Sequence, residues 1–231
     1  MSEPGPFGVR DRPERRSEGP PPPPPARPAG RSTVSWIVGV AVVAILAYIT
    51  LNTLRTDAPG SRGVKPGSPL PPFAAPLALS KLDGDANVAT HADDGDRGHR
   101  AACDVRGPGI LNSCRLAARG PVVLAFLATR SQRCEEQVDA LERVRADYPD
   151  VSFAAVGIRG SRDDLRAAIR RRGWTLPVAY DHDGAVANAY AVAICPTITF
   201  AYKGGRVQGT SLALLDGRAL RRRTELLRRR P

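Results

Sequence analysis

Cys103, Cys114, Cys134 and Cys195 are the side chains in this sequence best suited to covalent chemistry. Cys134 closes the tetrapeptide Ser131-Gln132-Arg133-Cys134, just ahead of Val138, Leu141 and Val144, which fall at helical spacing. A cysteine at a helix N-terminus faces backbone N–H groups without intrahelical acceptors, and the helix dipole favours its thiolate. Arg130 and Arg133 place positive charge beside it. This pattern points to thiol chemistry centred on Cys134; the competing role is that of a small, inert, buried residue.

Cys103 and Cys114 enclose a short loop. In an oxidising compartment a structural disulfide between them would stabilise by about 3 kcal/mol in the chain-entropy model. The rival role is a second redox pair relaying electrons to Cys134. His91 and His99 fall in the polar Asp/Gly-rich stretch from Asp83 to Arg100, read as a mobile loop, and His182 sits in turn-like Tyr180-Asp-His-Asp-Gly184. No metal and no cofactor is expected from them, and Asp181 and Asp183 read as turn and cap residues.

The elements that must hold these groups alternate in type. Pro121 to Leu127 is a continuous apolar run and Val151 to Ile158 a second, both suited to buried strands. Glu135 to Tyr148 reads as a helix. Ser161-Arg-Asp-Asp164 is an N-cap opening another helix that ends near Gly173. Thr197 to Tyr202, Gly204-Gly205 and Arg206 to Gly209 read as a hairpin, followed by a helix from Asp216 to Arg229. The order predicts an α/β domain over 70–231.

Ahead of it, residues 1–34 are rich in Pro and Arg and poor in large apolar side chains, the composition of a disordered tail. Trp36 to Leu51 carries no charge, and 35–54 reads as a transmembrane helix of roughly 28 Å. A cleaved signal would need a small-x-small site, which does not follow Leu51. Arg10, Arg12, Arg15, Arg16, Arg27 and Arg31 precede the run, against Arg55, Arg62 and Lys65 after it. The positive-inside rule therefore puts the N-terminus in the cytoplasm and the domain outside, on a single-pass plasma-membrane anchor. Residues 55–69 read as a flexible stalk.

The balance of 34 Lys+Arg against 23 Asp+Glu gives a net charge of +11. Only Lys65, Lys81 and Lys203 are lysines, and the arginines, abundant alongside Ala, Gly and Pro, carry the mark of high-GC codon bias. With 5 Phe, 5 Tyr and 2 Trp there is little stacking surface, and no nucleic-acid partner is expected.

With Ile194-Cys195-Pro196-Thr197 leading into the hairpin, the element order resembles a thioredoxin fold. In particular it is similar to membrane-anchored TlpA-like and redoxin (AhpC/TSA-type) proteins. Leu70 to Leu77 and Leu82-Asp-Gly84 resemble that group's N-terminal extension, and Phe126 to Cys134 sits where it carries the strand end and redox motif. The similarity covers about residues 70–228. It implies a thioredoxin-like central mixed sheet flanked by helices, and thiol–disulfide exchange or peroxide reduction with protein thiols, disulfides or peroxide as substrate.

One residue departs from the pattern: Ser131 stands where the motif's first Cys belongs, so exchange within the motif is excluded. Three readings remain. Pro196 resembles the family's cis-proline, whose preceding residue faces the motif, so Cys195 and Cys134 can form a displaced redox pair. Ser131-x-x-Cys134 also resembles a peroxidatic motif whose hydroxyl orients peroxide, although Leu127 replaces that motif's proline. The third is a non-catalytic thioredoxin-fold scaffold. A copper site of the related metallochaperone kind would need a second Cys near Cys134. Oligomeric state is left open.

Overall fold

The computed structural model describes residues 33–55, with side chains over 36–50, and residues 62–229. Residues 1–32 of the expected tail and 56–61 of the expected stalk therefore lie outside the described residues, while Thr33 and Val34, expected in the tail, belong to a helix. The chain divides into two units at Leu54/Arg55.

The described residues of the first unit lie in one helix, α1 (Thr33–Arg55). Among the described residues no helix is long and apolar enough to cross a membrane. The side chains from Trp36 to Thr50 are exposed all round the helix.

In the second unit the central sheet is built from β3 (Val122–Ala128), β4 (Ser152–Arg159), β5 (Val178–Tyr180), β6 (Thr197–Ala201) and β7 (Val207–Ser211), in the order β5-β4-β3-β6-β7. β3, β4 and β5 run parallel, whereas β6 and β7 are antiparallel to their neighbours. A separate pair, β1 (Ala74–Pro76) with β2 (Ile110–Asn112), lies before the sheet in sequence. The helices are α2 (Ser113–Arg119), α3 (Gln132–Arg145), α4 (Arg162–Arg172), α5 (Ala185–Ala189) and α6 (Gly217–Arg228).

β3 is apolar throughout because both its faces are covered. Val123, Ala125 and Leu127 join Val138, Leu141 and Val144 of α3, Leu165 of α4 and Leu220 of α6. Val122, Leu124 and Phe126 join Phe73, Leu116 and Tyr190 on the other side. A strand buried on both faces gives no period-2 alternation, which is why the sequence shows a solid run.

Local chemistry sets the helix ends. Ser161 accepts from the Asp164 N–H at 3.1 Å and Gly173 closes α4 in the left-handed conformation. Asp216 accepts from the Ala219 N–H at 2.7 Å to open α6. Asp181, 3% exposed, accepts from the Val186 and Ala187 N–H groups and starts α5; burial raises its carboxyl above the ordinary value.

Two expectations change. Helix α3 begins at Gln132, earlier than the apolar spacing implied, because its first turn is polar and holds no packing residue before Cys134. Residues 62–69, expected as part of a flexible stalk, are fixed along the last hairpin. The Gly67 N–H donates to Val207 O at 2.7 Å, Val207 N–H to Ser68 O at 2.9 Å, and Arg206 to Gly67 O at 3.0 Å. Proline and glycine there shape an edge segment instead of a tether.

An acidic edge on α3 ties the helix to its neighbours. Glu142 accepts from the Thr175 hydroxyl at 2.6 Å and from the Thr175 and Leu176 N–H groups at 3.0 and 2.9 Å. Burial pushes its carboxyl up, but these bonds and Arg145 outweigh it and hold it below the ordinary carboxylate value. A carboxyl lowered on folding contributes stability above its unfolded value, and that contribution is lost as pH falls through the folded one. Glu142→Gln should therefore cost about 1–2 kcal/mol at neutral pH. Between roughly pH 5 and 3 its urea-unfolding stability should fall less steeply than that of the parent; parallel acid limbs would contradict the assignment.

Candidate functional site

The site lies where β3 ends and β6 begins. In the antiparallel β3–β6 pair Phe126 stands opposite Thr197, so the residues just after the first strand neighbour those just before the second. β3 continues through Ala128 and turns at Arg130, whose φ of 61° lies in the left-handed region that costs a non-glycine residue about 1–2 kcal/mol. That turn delivers Ser131 as the N-cap of α3 and Cys134 to its first turn. On the other side, Ile194-Cys195 enters β6 through a cis Cys195–Pro196 bond.

The structure brings Cys134, Cys195 and Ser131 together. Cys134 and Cys195 are joined as a disulfide with Cα atoms 5.7 Å apart, and the Ser131 hydroxyl oxygen lies 2.9 Å from the Cys134 sulfur. The Cys195 sulfur lies 3.3 Å from the Phe126 carbonyl oxygen. Cys103 and Cys114 are joined separately, with Cα atoms 5.4 Å apart, between a 3-10 turn and the start of α2. Asn112 braces the same loop, donating to Ala102 O at 2.8 Å and Val105 O at 2.9 Å while accepting from the Arg115 N–H. His182 is remote in role: it pairs with Asp85 at 2.7 Å, and that carboxylate raises its pKa.

The two sulfurs differ in access. Cys134, where the sequence centres reactivity, is only 2% exposed and packs in the core with Val138 and Leu141. Cys195 is half-buried, beside Ile194 at 50% exposure. Arg130, expected to lend charge to a Cys134 thiolate, instead ion-pairs with Asp164 at 3.1 Å, while Arg133 is exposed.

Sequence reasoning missed what fixes the helix under Cys134. Glu135, 4% exposed, accepts from Arg171 at 2.9 Å and Arg172 at 3.0 Å. Asp139, one turn further on, takes Arg172 at 2.8 Å and the Trp174 indole N–H at 2.6 Å. Gln137, 1% exposed, exchanges two hydrogen bonds with the backbone of Leu215. The signal was present: Glu135 and Asp139 fall at helical spacing on one edge of α3, and their partners Arg171 and Arg172 end the run Arg170-Arg171-Arg172.

A central mixed sheet flanked by helices, with a sulfur pair where β3 gives way to α3, is a thioredoxin-like fold. Residues 110–210 match the AhpC/TSA family. Among solved structures, the thiol:disulfide interchange protein DsbE of Chlorobium tepidum is 17% identical (TM-score 0.55), with 71% of this chain and 98% of that one covered. The thioredoxin domain of a thiol-disulfide oxidoreductase from Bacteroides vulgatus is 14% identical (TM-score 0.51), covering 71% and 97%. Peroxidoxin BcpB of Mycobacterium tuberculosis is 16% identical (TM-score 0.51), covering 73% and 99%. At such identities the likeness is one of fold. No curated relative matches the chain.

Proposed function

We propose that this protein carries out thiol–disulfide exchange through the Cys134–Cys195 pair, on a domain anchored to a membrane and facing an oxidising compartment. The observation that carries the redox reading is the pairing itself. Two cysteines 61 residues apart meet at the junction of two strand ends, one with its sulfur beside a hydroxyl and the other on a half-buried residue. A missing motif Cys is thus replaced in space by Cys195. The peroxide reading draws on the AhpC/TSA match and on Ser131, but peroxide would have to reach the sulfur of a residue that is only 2% exposed. The scaffold reading leaves the convergence of both cysteines without a role.

Anchoring draws support from α1. Trp36, Ile45 and Tyr48 are 71%, 58% and 71% exposed on a helix whose described side chains include no charge. An apolar surface of that kind needs lipid or protein around it. Two disulfides fit an extracytoplasmic domain.

Replacement of either site cysteine tests the exchange reading. Cys134→Ser and Cys195→Ser should each reduce turnover of a dithiol peptide to the uncatalysed background, whereas Cys103→Ser with Cys114→Ser should leave it measurable. Unchanged turnover in both site variants would leave the scaffold. For topology, protease added to intact spheroplasts should digest the domain; complete protection would refute the orientation.

A further inference from the structure

The two sulfurs of the pair are not equivalent, and their surroundings assign each a part. An incoming thiolate attacks a disulfide sulfur in line with the S–S bond and expels the sulfur on the far side. Attack on Cys134 would require approach through packed residues, because this sulfur sits among Leu127, Val138 and Leu141. Cys195 packs against the same core but is only half-buried, and it follows two exposed residues, Ala193 and Ile194, so less of the chain covers it.

The departing group is equally one-sided. Cys134 lies in the first turn of the fourteen-residue α3, at the positive end of its dipole. The Ser131 hydroxyl is 2.9 Å from its sulfur, positioned to donate to a thiolate as the negative charge develops. Cys195 has the opposite neighbour, the Phe126 carbonyl oxygen at 3.3 Å, which repels a thiolate and accepts from a thiol.

Resting on the exchange reading, we infer that Cys195 is the sulfur that partners attack, that Cys134 is the leaving group, and that Ser131 stabilises its departure. The partner is a protein dithiol. Its first thiolate bonds to Cys195 Sγ as the Cys134–Cys195 bond breaks, and the electron pair of that bond leaves on Cys134 Sγ. The partner's second thiolate then attacks its own mixed-disulfide sulfur and expels Cys195, which takes up a proton and donates to Phe126 O. The partner ends as a disulfide, and the domain holds a Cys134 thiolate and a Cys195 thiol. This inverts the order written into a motif that places the attacked cysteine at the helix N-terminus. Ser131 therefore has a role of its own: it occupies the vacated position and serves the cysteine one turn further on.

Reduced glutathione serves as the probe on the oxidised full chain, with acid quenching at short times, alkylation of free thiols and peptide mass spectrometry. The adduct is expected on Cys195, with Cys134 recovered as the alkylated free thiol. An adduct mainly on Cys134 would overturn the assignment while leaving the exchange reading intact. A pair that stays closed with no adduct on either cysteine would overturn both. Ser131→Ala should slow attack on Cys195 about tenfold, as expected for a lost hydrogen bond to a charged group, and Ser131→Thr should restore most of the rate. An unchanged rate in Ser131→Ala, with its circular dichroism matching the parent, would remove Ser131 from the mechanism.

Discussion

The antiparallel pairing of β3 with β6 is the constraint on which the site depends. With Phe126 opposite Thr197, the chain leaving one strand and the chain entering the other must share a small region at the same edge of the sheet. Residues 131–134 come from one side and 194–196 from the other. A slip of one residue would turn each β6 side chain to the opposite face and carry Cys195 away from α3. The register is protected by burial, since Ile198 and Phe200 fill one core and Ala201 the other.

Given that register, α3 has to present its first turn at a fixed height, and its polar edge achieves this. Glu135 and Asp139 hold the arginines at the end of α4, Glu142 holds the segment before β5, and Gln137 holds the segment before α6. The strained Arg130 turn is held from both ends, by β3 behind it and by the Arg130–Asp164 pair in front. Rigid support beneath Cys134 and exposed residues just ahead of Cys195 together leave one cysteine buried and the other half-buried. The asymmetry on which the proposed exchange depends is thus a packing result.

Much of this was legible from the sequence, for identifiable reasons. Doubly buried β3, the Ser161 cap, the Gly173 stop and the Gly204-Gly205 hairpin are local signals, and each is found where its chemistry puts it. The meeting of Cys134 with Cys195 was not local, and it became readable only through resemblance at Pro196. The relative burial of the two cysteines depends on which side chains cover Cys134, and no local pattern in the sequence reports that. Polar contacts between helices were hidden for a similar reason: the run Arg170-Arg171-Arg172 does not say which carboxylates lie opposite it. Residues 62–69 misled in the other direction, because proline and glycine mark an edge segment as readily as a tether.

The central claim is that the Cys134–Cys195 pair is a working redox couple. Equilibrating the full chain across a series of thiol–disulfide buffers, then alkylating and quantifying each cysteine by mass spectrometry, tests it most directly. The account predicts that Cys134 and Cys195 become free together, as one two-electron couple, while near-UV circular dichroism shows the domain still folded. A pair that opens only when the fold is lost would contradict it.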